Sequence, residues 1–163
     1  MTDTTMEAIT NAVTAGRSGD TTGAKQALLA LWETIGAGGE PFHRCTLAHY
    51  LADLCADPAE ALAWDGRALG AADTLTDTHV QAHHNDLRIA GFYPSLHLNL
   101  ADDYRCLAAF DAAEAHIEAA RAHVSSLADD AYGDLIRTAI SEVAEAITRR
   151  DIMPRVSSPS HVA

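Results

Sequence analysis

Aromatic residues are scarce, at 6% of a 163-residue chain. The apolar share of 48% is therefore carried mainly by alanine and leucine, which favour helices and let them pack at short range. An all-α chain is the expected fold class. Basic residues are scarce too, since 11 against 23 acidic ones leave a formal charge of −12. The averaged field repels phosphate backbones and anionic lipid, so no nucleic acid and no membrane are expected as partners. Cysteine is limited to Cys45, Cys55 and Cys106, an odd number without C-x-x-C spacing, which argues against a disulfide framework and a structural zinc knuckle. No run approaches the roughly 20 apolar residues of a membrane span, and residues 1–19 have neither the basic start nor the apolar stretch of a signal peptide. A cytoplasmic protein with reduced thiols is expected. With no strand pattern there is also no glycine-rich strand-to-helix loop of the Walker or Rossmann kind.

What the chain does contain is a succession of helix signals. Thr4 or Thr5 can cap a first helix to about Gly16, and Asp20 or Thr21 a second that ends at Gly36, Gly38 and Gly39. Pro41 opens a third helix to about Cys55, and Asp57 with Pro58 caps and starts a fourth. Thr76 or Asp77 can cap a further helix to about Ala90, closed by Gly91. Residues 95–107 and 111–127 follow as another pair. A last helix over about 130–150 aligns Leu135, Ile136, Ala139, Ile140, Val143 and Ile147, which suits an element that closes the end of a stack. Residues 1–150 thus read as one domain of about eight helices. Residues 151–163, with Pro154, Ser157, Ser158, Pro159 and Ser160, read as a flexible C-terminal tail.

Small residues recur at fixed intervals within the pairs. Leu100, Ala101, Tyr104, Ala108, Ala113, Ile117 and Ala120 set the pattern, Ala12, Ala15, Gly19, Ala24, Leu28 and Leu31 keep it, and Leu47, Ala48, Leu51, Cys55, Ala61 and Ala68 keep it with one extra residue. This spacing resembles the tetratricopeptide repeat, in which small residues mark where two antiparallel helices touch. Two departures stand out: His97 occupies a position that the motif usually fills with tryptophan, and Trp64 lies one residue from its usual aromatic. Ala61 and Ala113 are also 52 residues apart, where back-to-back repeats give about 34, so a segment is inserted between the second and third pairs. The resemblance implies an antiparallel helix-pair solenoid whose concave surface is lined by the first helix of each pair and holds peptides or partner helices. Cys45, His49 and Ala52, then Leu98, Asp102 and Arg105, would face that surface.

Chemistry-bearing residues concentrate in the middle of the chain, where six of the nine histidines fall between His43 and His97. Cys45, His49 and Asp53 share one helix face at intervals of four, and His79, His83 and Asp86 share another. Were those faces to meet with Asp102, the set Cys45, His49, His79, His83 and Asp102 would offer thiol, imidazole and carboxylate donors to a transition metal such as zinc, iron or copper. The blander reading is packing and surface histidine, because no H-E-x-x-H or facial-triad spacing is present. In the stretch from Arg88 to Arg105, Tyr93 stands at a helix entrance and Asn99, Asp102, Asp103 and Arg105 place polar groups on one helix face, where Asn99 can bond peptide backbone and Arg105 can pair a carboxylate. Cys45 beside His49 does not make a convincing nucleophile in so acidic a chain.

The expected function is a protein- or peptide-binding adaptor without catalytic residues or a cofactor, its groove formed by Asn99, Asp102, Arg105, His49 and Tyr93. The alternatives are a metal-binding protein or metal-dependent enzyme using the His/Cys/Asp set, and a sensor of a small-molecule ligand. Oligomeric state and partner identity are open at this level.

Overall fold

The computed structural model describes residues 2–81 and 89–155. Among them are seven helices of 13 to 18 residues and one short turn of helix. They are α1 (Thr4–Arg17), α2 (Thr21–Ile35), α3 (Pro41–Asp53), α4 (Pro58–Ala72), the five-residue α5 (Asp77–Gln81), α6 (Tyr93–Cys106), α7 (Phe110–Ala122) and α8 (Ala131–Thr148). The described chain holds no strand and no helix long and apolar enough to cross a membrane.

Carboxylates begin most of these helices. Asp3, Asp20, Glu40, Asp57 and Asp130 each accept a hydrogen bond from a first-turn backbone amide, at 2.7 to 3.1 Å. Part of the chain's acidity is thus spent on orphan N–H groups and on the positive end of each helix dipole. The first helix is capped by Asp3 rather than by either threonine that follows it. At the start of α8 the backbone comes so close that a Cβ on Gly133 would lie 2.0 Å from the Ala128 carbonyl oxygen, so only glycine fits there.

The helices pack as antiparallel pairs, α1 with α2, α3 with α4, and α6 with α7. α4 lies directly on α6, and α8 packs on both α6 and α7. The interhelical seams are lined by fully buried small residues: Ala24, Ala48, Ala68, Ala101, Ala113 and Ala120 are 0–1% exposed. Two apolar clusters result. One gathers Ile9, Leu28, Leu47, Leu51, Trp64 and Ala68 from α1–α4 with Leu96 of α6, and the other gathers Leu98, Ala101, Ile117, Ile136 and Val143 from α6–α8. Trp64 falls off the repeat's usual register yet is buried, because it meets Trp32 edge-on with ring centroids 5.1 Å apart.

Three boundaries differ from expectation. The inserted helix is regular over Asp77–Gln81, residues 82–88 lie outside the described residues, and Ile89–Gly91 is a separate 3₁₀ turn. α7 stops at Ala122 and a second 3₁₀ turn, Val124–Ser126, follows. The third difference is at Asp151, the first residue of the expected tail, which is tied to the helices: its amide donates to the Ala146 carbonyl, and its carbonyl accepts from Arg105 Nη1.

Candidate functional site

The seam between the two clusters is polar. α4 presents Asp65 there, four residues after Ala61 and three before Ala68, so this carboxylate sits within the helix's buried stripe and is only 2% exposed. α6 presents Asn99, Asp102 and Asp103, and the end of α3 presents Asp53. These side chains, with Cys106 and the C-terminal Pro154 and Arg155, line a cavity of about 160 Å³. Four carboxylates share its wall.

Their surroundings differ. Asp102 is neutralised, because its Oδ1 accepts from Arg105 Nε at 2.9 Å and Nη2 at 2.7 Å. Arg105 is itself 1% exposed, with its remaining arm on the Asp151 carbonyl. Asp65 Oδ1 lies 3.4 Å from His49 Nδ1, an ion-pair distance without the alignment of a hydrogen bond. Burial disfavours the charged His49 imidazolium, but Asp65 and Asp53 outweigh it and raise its pKa. Burial, reinforced by Asp65, Asp102 and Asp53, pushes the Asp103 carboxyl up to about 9. At neutral pH Asp103 therefore keeps its proton, since like charges confined together cannot all ionise.

Several polar groups at this cavity are left without hydrogen bonds. Asp65 Oδ1 and Asp103 Oδ2 are buried acceptors that receive none. Asn99 is 8% exposed and lines the cavity beside them. Buried polar groups are rarely left unsatisfied, because each lost bond costs about 1–3 kcal/mol. Such groups, facing a space large enough for a ligand, mark a place where a ligand's donors fit.

The residues singled out from sequence are dispersed among several environments. Asn99 and Asp102 line the cavity. His49 touches it through Asp65, and Arg105 is a buried counterion of Asp102 whose guanidinium is already committed to partners inside the fold. Tyr93 donates to Asp73 Oδ1 at 2.8 Å and joins a row of stacked rings in which His123 lies 5.0 Å away and His97 6.0 Å. His97 and His116 bring their Nδ1 atoms within 3.0 Å in the same row, so His116 and His123 are half-buried partners rather than plain surface residues.

Of the metal set, Cys45 is packed in the first apolar cluster and its thiol is pushed up to about 12, chiefly by burial. That disfavours the thiolate a metal would need. His79 lies on α5, while His83 is outside the described residues. Among the described residues no three His, Cys, Asp or Glu side chains converge so as to hold a metal ion.

Asp65 and Arg155 had not been singled out. For Asp65 a signal existed, namely a carboxylate on the same face as Ala61, Ala68 and Ala72. For Arg155 none did, because its place follows from the turn after α8. Comparison with protein families, with curated proteins and with solved structures finds no match to this chain.

Proposed function

We propose that this chain is a binding protein built from tetratricopeptide-like helix pairs, without catalytic activity, and that it captures a protein or peptide partner by taking a basic side chain of that partner into the acidic cavity. The observation that carries the reading is the set of buried oxygens without a hydrogen-bond partner, Asp65 Oδ1 above all, in a cavity that Asn99 also lines. Size agrees, because a cavity of about 150 Å³ accepts a benzene-sized group and the head of lysine or arginine is no larger. Charge agrees as well. Asp102 is paired with Arg105, whereas Asp65 has a stretched contact with His49 and the protonated Asp103 beside it but no guanidinium or ammonium, so an entering cation meets carboxylate that the fold has not fully compensated. The overall charge of −12 draws basic segments toward the protein and makes their association sensitive to salt.

Catalysis has little support, since the Cys45 and Cys55 thiols are both pushed up to about 12, mainly by burial. The metal reading has no three-ligand constellation among the described residues behind it.

A capped Ala-Ala-Arg-Ala-Ala peptide, its lysine counterpart and a citrulline counterpart, neutral but of arginine's shape, separate charge from fit. Calorimetric titration should show binding of the two charged peptides and none of citrulline. Asp65→Asn, with circular dichroism unchanged, should weaken binding at least tenfold, as losing a charged hydrogen-bond partner worth about 1.5–3 kcal/mol requires. Equal binding of the citrulline peptide, or no binding of any, would refute this reading.

A further inference from the structure

The chain brings a cation of its own to this cavity. After α8 the backbone reverses at Arg150, whose φ is 54°, and the Asp151 amide returns to the Ala146 carbonyl. The Met153 amide then donates to Asp151 Oδ1 at 2.9 Å, and the chain delivers Pro154 and Arg155 to the cavity wall. The Arg155 side chain is only 16% exposed. One arm, Nη2, donates to Glu142 Oε2 at 2.6 Å, whereas Nη1 is buried with no hydrogen-bond partner. A half-satisfied guanidinium thus shares a cavity with the Asp65 carboxylate, whose Oδ1 receives no hydrogen bond, and with the protonated Asp103 beside it.

The hold on this segment is slight. Ile152 and Met153, its large apolar side chains, are 49% and 69% exposed, so no apolar anchor fixes it to α6 or α8. Pro154 has no amide hydrogen to donate. Beyond Asp151, the Arg155–Glu142 pair and the single Met153 amide bond supply the attachment, and Glu142 is mostly open to solvent.

We infer that Arg155 is a built-in competitor for the acidic cavity: it stands where an arginine of a partner binds, and a partner enters by displacing it together with residues 152–154. The inference rests on reading the cavity as a site for a basic side chain, and it names the ligand chemistry further, as guanidinium. A planar fork already stands at this wall with one arm turned to Glu142, and an incoming arginine offers the same fork without that tether. A resident competitor lowers apparent affinity by the fraction of molecules in which it occupies the site.

The test compares the 163-residue chain with its Arg155→Gln variant, which keeps a polar side chain on the same stem and removes the charged guanidinium. Both are titrated with the capped Ala-Ala-Arg-Ala-Ala peptide, and Asp65→Asn serves as the site-dead control. The variant is expected to bind tighter by about five- to tenfold. During titration of the unaltered chain, the Met153 amide should lose its protection against hydrogen exchange as the segment leaves. Equal affinities that both vanish with Asp65→Asn would overturn the competitor while leaving the cavity's function intact. Weaker binding by the variant would make Arg155 part of the ligand's own site and would equally overturn it. If neither protein binds the peptide, the reading of the cavity falls and the competitor falls with it.

Discussion

The residue that departs furthest from ordinary behaviour is Asp103. Its carboxyl, pushed up to about 9 mainly by burial, holds a proton in the folded chain across a range where the unfolded chain has released it. The folded state then binds more protons than the unfolded one between about pH 4 and 9, and stability must fall as pH rises through that window. His49, whose pKa is also raised, acts in the same direction above its ordinary 6.5, since its contribution is complete below that value and lost as pH climbs through the folded one. His97 and His116 act oppositely. Burial lowers both, so their protonation removes stability as pH drops below 6.5. Thermal melting should therefore peak on the mildly acidic side and decline toward pH 9. Asp103→Asn, which keeps a donor and discards the ionisation, should flatten the alkaline decline and leave the acidic one; an unchanged slope above pH 7 would mean that Asp103 is already ionised. The sequence showed Asp102 and Asp103 as part of a polar helix face, and it could not show this proton. A pKa of that kind depends on Asp65 and Asp53 arriving from two other helices.

At the scale of elements, the helix starts and the small-residue seams were readable. Asp20, Asp57 and Asp130 cap where expected, and Ala101 and Ala113 are fully buried where their helices meet. Ends were harder, because several depend on backbone conformation rather than residue type. α1 closes through Gly19 at φ 111°, whereas α6 closes in the same way through Ala108 at φ 60°, with the Ala109 amide returning to the Tyr104 carbonyl. An alanine held left-handed costs about 1–2 kcal/mol that glycine does not. Against this, glycine loses about 0.4–1 kcal/mol more through the freedom of the unfolded chain. Ala108→Gly should thus stabilise by up to about 1 kcal/mol, while Ala115→Gly, in the exposed middle of α7, should destabilise by about 1 kcal/mol. Urea melts of the two variants check the sign; a loss at Ala108 would remove the proposed strain. Of the inserted segment, the described part begins as a helix at Asp77, where a cap was expected, and ends in a 3₁₀ turn at Gly91, where a stop was expected.

For the whole molecule, the pairing of helices was legible and the site was not. The spacing of small residues reports which residues touch within a pair, whereas the cavity lies between pairs and is completed by residues from beyond α8. That dependence makes the last described residues part of the interior. Removing residues 151–163 takes away the Asp151 carbonyl on which Arg105 rests, and leaving a buried charged donor unmet should cost about 1–3 kcal/mol or more. A melting point unchanged by this truncation would show that water replaces the carbonyl. The same bond spans 46 residues, so it also imposes an order on synthesis. At about 5–20 residues per second the ribosome needs about 2–9 s to pass from Arg105 to Asp151, and the ribosome's exit channel delays the acceptor further. Throughout that interval α6 can pair with α7 while its arginine remains wet, so the polar seam must stay open to solvent until Asp151 has emerged. A nascent chain stalled just short of Asp151 would carry both apolar clusters but lack the Pro154 and Arg155 wall of the cavity.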